Sequence, residues 1–236
     1  MNKPIPSQSI KRIKLLLISG VLPITQSFAI EIDSYIDEIP ATPSFISKAV
    51  YNNSQSNNLY RISIQKIDRP SSRFEKELPL DAGEILYAPQ KLMIQRDEQN
   101  YFKVFYHGPE DQQERYYRVN FVESPFNLYE TPNAQKSSVV FPSIGLSTIL
   151  IVRPRQLKLA YQLDEKKGTI QNTGNTFFKL IIHQGCEGSE ATARQLYMLP
   201  GESYQHTSLK QPNRKYILAT QRYIPLGQAC FAQDGD

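Results

Sequence analysis

The sequence predicts an all-β protein of two sandwich domains, and three observations carry that prediction. Short segments rich in β-branched and aromatic residues recur along the chain, each bounded by Asn, Ser, Gly or Pro. Apolar residues within them are spaced by two, and no stretch of ordinary helical length shows a 3.6-residue period. The pattern breaks at Arg153-Pro154 and then restarts. Proline removes a ladder donor and holds the preceding residue extended, so a strand and a domain end there. Short strands at close spacing build sandwiches, because a sheet with one apolar face must bury it against another.

In the first domain strands are expected at 45–51, 59–67, 101–106 and 116–122. Tyr60, Ile62 and Ile64 alternate with Arg61, Ser63 and Gln65, so one face of that strand is apolar and the other polar. The polar run from Asn52 to Asn58 is a loop, and Pro79, Asp81, Gly83, Gly108 and Pro109 mark turns. The longest strand signal covers 139–152. After Pro154 the expected strands are 157–163, 168–172, 177–183, 196–199 and 216–223, with turns at Asn172–Asn175 and at Pro200-Gly201-Glu202.

The first 29 residues read as a cleaved leader. Lys3, Lys11, Arg12 and Lys14 precede the apolar run Leu15-Leu16-Leu17-Ile18, and Ser27 and Ala29 stand at the −3 and −1 positions of a peptidase site. The apolar run is broken by Ser19, Gly20 and Pro23 and falls short of the roughly 20 residues a spanning helix needs, so no stable membrane insertion is expected. The domains then span 30–152 and 153–236. Residues 1–29 hold four of the 27 basic residues and none of the 23 acidic ones, which leaves 23 of each sign. The apparent basicity belongs to the leader and offers no support for nucleic-acid binding. Cys186 and Cys230 are the only cysteines. In an oxidising compartment they are read as one disulfide; a redox pair or half a metal site is the alternative, opposed by the lack of a CxxC spacing and of further cysteines.

The strand before Arg153 has two characters. Pro142, Ile144, Leu146 and Thr148 alternate with Ser143, Gly145 and Ser147, whereas Ile149 to Val152 are all apolar. A strand buried on both faces reads as a continuous run, and a one-sided strand alternates. The second half is therefore expected to sit inside its own domain. The first half is either an ordinary strand packed on its own core or one that lends Val140, Ile144 and Leu146 to a partner's sheet, its other face nearly bare so that a second backbone can approach.

Catalytic signals are absent from the sequence. His107, His183 and His206 are scattered, no HExxH, GxSxG, P-loop or dinucleotide fingerprint occurs, and Asp97-Glu98 and Glu110-Asp111 lie in polar turns. Neither a catalytic residue nor a metal ligand is assigned, and no enzymatic activity is expected.

The segment Tyr117-Arg118-Val119-Asn120-Phe121-Val122-Glu123-Ser124-Pro125 resembles the sixth strand of PapD-like periplasmic chaperones of the chaperone–usher superfamily. The run ending Val152-Arg153-Pro154 resembles their seventh, and Val50-Tyr51-Asn52, Tyr87-Ala88-Pro89 and Leu199-Pro200-Gly201-Glu202 are weaker echoes. The match runs through the whole chain after the leader and is nearest to the alternative branch that serves the common pilus. The resemblance implies two immunoglobulin-like domains in an L, no cofactor, and a periplasmic chaperone that holds pilus subunits by donor-strand complementation and delivers them to an outer-membrane usher. It places subunit binding at Val140, Pro142, Ile144, Leu146 and Thr148, and it implies an interdomain charge pair of Glu123 with Arg153.

Two departures accompany the resemblance. Family members anchor the subunit's C-terminal carboxylate with an Arg early in the first strand and a Lys four residues before the Arg of Arg-Pro. Here that second position is Ile149, and the expected first strand, Ile30 to Ile39, contains no Arg or Lys. Arg61, Lys66 and Arg118 are the basic candidates in the first domain. The third member of the interdomain cluster, an Asp in the family, falls near Thr220-Gln221. The competing reading is a pilus subunit or adhesive module; the full seventh strand favours the chaperone.

Overall fold

The computed structural model describes residues 30–42, 44–71, 74–126 and 143–231. The expected leader with its cleavage point, and Val140 and Pro142, lie outside the described residues.

The first half contains β1 (Ile30–Ile32), β2 (Ile36–Pro40), β3 (Ser44–Asn52), β4 (Asn58–Ile67), β5 (Glu77–Leu78), β6 (Ile85–Ala88), β7 (Lys91–Ile94), β8 (Gln99–Tyr106), β9 (Arg115–Pro125) and β10 (Ile144–Arg153). The second contains β11 (Tyr161–Asp164), β12 (Thr169–Asn172), β13 (Phe178–Ile182), β14 (Arg194–Met198), β15 (Ser203–Gln205), β16 (Lys215–Ala219) and β17 (Arg222–Leu226), with single 3₁₀ turns at Glu190–Thr192 and Thr207–Leu209.

Four sheets result. In the first half β1-β3-β8-β6 faces β2-β10-β9-β4-β5, with β7 also paired to β4. The alternation read from Tyr60, Ile62 and Ile64 is the reason the two sheets stick: these residues are buried in one core with Phe102, Phe121, Leu150 and Val152. Phe102 and Phe121 meet edge-on at 5.3 Å between ring centres, a favoured aromatic geometry. The second half stacks β11-β12-β15 on β14-β13-β16-β17 around Ile170, Phe178, Leu180, Met198 and Ile217.

A third apolar cluster joins the two halves. Ile67, Tyr116 and Ile151 are buried against Ile149, Phe177 and Leu199. The apolar run at the end of β10, expected inside its own domain, is instead shared between that core and this junction. Leu150 and Val152 face their own core, while Ile149 and Ile151 face Phe177 and Leu199 from the second half.

The single first strand expected from Ile30 to Ile39 is two strands, the chain entering one sheet as β1 and crossing to the other as β2. Lys48 holds that crossover. Its buried ammonium donates to the carbonyl of Ser34 and to Asp37 at 2.6 Å, and it lies in an ion pair 3.3 Å from Asp33. Two hydrogen-bond acceptors and two carboxylates around one ammonium are what make a buried lysine tolerable. Burial raises the Asp37 carboxyl above its ordinary value, and Lys48 opposes that shift.

Cys186 and Cys230 form a disulfide, with 5.2 Å between their Cα atoms. The single strand expected at 216–223 is instead the hairpin β16–β17, turning at Thr220 and Gln221, whose φ angles are 47° and 61°. Two successive left-handed residues make the tight turn that matches the twist of antiparallel strands. That turn usually carries Asn or Gly, and neither is present to announce it.

Candidate functional site

The site is the outer edge of β10. One side of β10 pairs with β9 from Ile144 to Val152 in antiparallel register. On the other side β2 pairs with it in parallel, but only from Ile149 to Arg153, beginning where the Ile149 N–H donates to the Tyr35 carbonyl at 2.9 Å. From Ile144 to Thr148 that second side has no partner strand among the described residues. Five residues of open strand extend about 16 Å, and an open row of N–H and C=O groups is a template for another strand.

The side chains along this edge grade from free to committed. Ile144 is 39% exposed. Leu146 is half-buried against the core of its own domain. Thr148 is fully buried, and its hydroxyl has no hydrogen-bond partner. All three share the face of Leu150 and Val152, so the expected binding row and the core-facing row are one row, uncovered toward its start. On the other face, a Cβ built on Gly145 would meet nothing within 4 Å.

The edge is braced from the β9 side. Arg118 donates to Ser147 Oγ at 3.0 Å and to the Glu75 carboxylate at 2.6 Å. Those hydrogen bonds hold the Glu75 carboxyl below its ordinary value. A lowered carboxyl contributes stability above its unfolded value, about pH 4.3, and that contribution is lost as pH falls through the folded value. Thermal melts of the native protein and Glu75→Gln should therefore differ at pH 7 and converge toward pH 3. A gap that stays constant with pH would contradict this.

The three basic candidates for a subunit anchor lie on β4 and β9. Lys66 pairs with buried Glu84 at 2.8 Å, and Arg118 with Glu75, so both are engaged within the domain. Arg61 is exposed on the outer face of β4, opposite Val122, which itself lies opposite Gly145. Beside Ile149, where the open edge ends, Ile36, Phe74, Ile151, Phe177 and Tyr197 line a cavity of about 390 Å³ between the two halves.

The expected pair of Glu123 and Arg153 does not form. Antiparallel register sets Glu123 opposite Ile144, at the start of β10, whereas Arg153 is its last residue, about 30 Å along the strand. Glu123 instead accepts from the Ile30 N–H at 3.0 Å and from Asn58 Nδ2 at 2.7 Å. Arg153 pairs with Glu114 at 2.9 Å and Glu38 at 2.8 Å. It also donates to Thr176 and lies 4.2 Å from the centre of the Phe177 ring. Glu114 in turn accepts from the Thr176 hydroxyl at 2.6 Å and the Phe177 N–H at 3.0 Å. Arg153 is thus an interdomain residue with a different acid. Register could have identified Glu114: of two consecutive antiparallel strands, the start of one meets the end of the next. Thr220 and Gln221 line a cavity with Arg153 and contribute no carboxylate to it.

Among the described residues no cluster of three or more His, Cys, Asp and Glu is placed to hold a metal, and no helix is long and apolar enough to cross a membrane.

No protein-family model matches the chain. Solved structures with the same two-domain β architecture include the Escherichia coli chaperone DraB (TM-score 0.56, 13% identity, 86% of this chain and 97% of that one) and the class 5 fimbriae chaperone CfaA (TM-score 0.55, 14% identity, 84% and 98%). At those identities they establish the fold alone: all-β, with two immunoglobulin-like domains. Among curated sequences, the probable fimbrial chaperone EcpB of Klebsiella pneumoniae strain 342 is 28% identical over 219 residues, covering 89% of this chain and 96% of the relative. The probable fimbrial chaperone EcpE of E. coli strain K12 is 40% identical over 213 residues, covering 89% of each. With that identity over nearly nine-tenths of both sequences, this chain belongs to the fimbrial chaperones.

Proposed function

We propose that this fimbrial chaperone works in the periplasm, where it captures pilus subunits by lending them the open edge of β10 and passes them to an outer-membrane usher. The observation that carries this reading is the staggered cover of β10. Because β2 first pairs with β10 at Ile149, the five residues before it offer, among the described residues, unpaired backbone groups on one side and an apolar row headed by Ile144. A strand added there gains main-chain hydrogen bonds from the edge, while alternate side chains fill its pockets.

Residues 143–148 contribute Ile144, Leu146 and Thr148 to this edge; Val140 and Pro142 extend the same alternation in sequence. Gly145 supports the reading, since it leaves one face of the strand bare. The reading assigns the protein a binding role, with no enzymatic step, cofactor or nucleic-acid partner. Membership of the fimbrial chaperone family supports it, as does the leader-like N-terminus with its positive region, apolar run and Ser-Phe-Ala ending.

The test is periplasmic co-expression with pilins encoded by neighbouring genes, followed by affinity capture of the chaperone. A one-to-one complex in which amide exchange slows at Gly145 and Ser147 is the expected result. A complex that leaves exchange along β10 unchanged would place the interface elsewhere.

A further inference from the structure

Glu123 is buried, and among the described residues no cation pairs with it. It is 5% exposed. One carboxylate oxygen accepts from the backbone nitrogen of Ile30 at 3.0 Å, the other from Asn58 Nδ2 at 2.7 Å. Desolvation pushes the Glu123 carboxyl above its ordinary value. A buried carboxylate is expensive unless an opposite charge meets it. The nitrogen nearest to supplying that charge is Ile30 N, and Ile30 is the residue that follows the expected leader cut after Ala29.

We propose that removal of the leader turns this contact into a buried ion pair between the new α-ammonium of Ile30 and Glu123. The proposal rests on the reading that the leader ends at Ala29. Hydrolysis of the Ala29–Ile30 peptide bond by a leader peptidase adds one water. Ala29 keeps a carboxylate, and Ile30 becomes an amine that is protonated at neutral pH. Before the cut the same nitrogen is a neutral amide, which can donate one hydrogen bond but cannot balance the charge.

The placement gives the pair a structural consequence. β1 is three residues long and pairs with β3 alone, at the end of its sheet. Glu123 reaches it from β9 in the opposite sheet, so the pair bridges the two layers of the sandwich. Glu123 is also the register partner of Ile144, which puts the bridge beside the start of the open edge. Processing after export then finishes the domain that does the binding, and a chain that keeps its leader lacks the bridge.

Mass spectrometry of the protein purified from the periplasm identifies its first residue. Thermal melts then compare four proteins: native, Glu123→Gln, a form with one serine inserted after Ala29, and the two changes combined. Glu123→Gln should lower the melting temperature by about 5–10 °C when Ile30 is first, and by less than half of that when the ammonium is displaced by one residue. Acylation of the α-amine at pH 7 gives a second readout that needs no Glu123 variant. The Ile30 amine should react at least tenfold more slowly than the amine of the inserted serine. A first residue other than Ile30 overturns the proposal together with the reading of the leader. Ile30 found first, with equal melting losses or an amine as reactive as the displaced one, overturns the ion pair and leaves the leader reading standing.

Discussion

Ile144→Asp is expected to reduce the yield of a co-purified pilin by more than about 100-fold while leaving the chaperone folded. Strand addition would place residue 144 in an apolar pocket of the subunit. An unpaired carboxylate buried there costs several kcal/mol, and each 1.4 kcal/mol is a factor of ten in affinity. In the free protein Ile144 is 39% exposed, so its loss should change folding stability by no more than about 0.5 kcal/mol. Leu146→Asp is the instructive contrast, because Leu146 already packs on the domain's own core. It should lose capture and also stability, by about 2 kcal/mol or more. Capture is measured by affinity recovery of a co-expressed subunit and stability by urea unfolding. Wild-type recovery with Ile144→Asp would move the binding site away from β10.

The second large effect is expected at the domain junction. Arg153→Leu should destabilise the protein by about 3–5 kcal/mol, the usual cost of leaving one member of a buried ion pair without its partner. Glu114 is the residue stranded. Its side chain is 1% exposed, and Arg153 is the cation that meets it. The partner Glu38 is 44% exposed and contributes little, since water screens it. Leucine would also give up the stacking of the guanidinium on Phe177, 4.2 Å away. Glu114→Gln combined with Arg153→Leu should recover much of the loss, because the uncompensated charge has gone. Urea unfolding of the three variants checks this. A loss below about 1 kcal/mol for Arg153→Leu would show that the junction is held by the apolar cluster of Ile67, Tyr116 and Ile151 rather than by charge.

Individual residues show why the fold was more legible than the site. The alternation of Tyr60, Ile62 and Ile64 states which face of β4 is buried, because side chains on a strand have period two whatever the tertiary context. The interior strands β3, β4, β8 and β9 fall within two or three residues of their expected bounds for that reason. The short strands β1, β5 and β6 carry too few residues for a period to show. The hairpin at Thr220-Gln221 was hidden by its chemistry, since neither residue normally signals a left-handed turn. Lys48 was invisible as a structural residue. Its role depends on Asp33 and Asp37, which an apolar pattern does not connect to it.

The sequence by itself determined the all-β class, the restart after Arg153-Pro154 and the two-sided character of the strand that became β10. Each is a local property, written in spacing, composition or a proline. Only the tertiary structure decided which charges meet. It moved Arg153 from Glu123 to Glu114 and left Glu123 against Ile30. It also decided where the apolar row stops being core and starts being surface, because that point is set by where β2 begins to cover β10. Charge partners and edge cover are fixed by register between strands far apart in the chain, and register appears only once the sheets have formed.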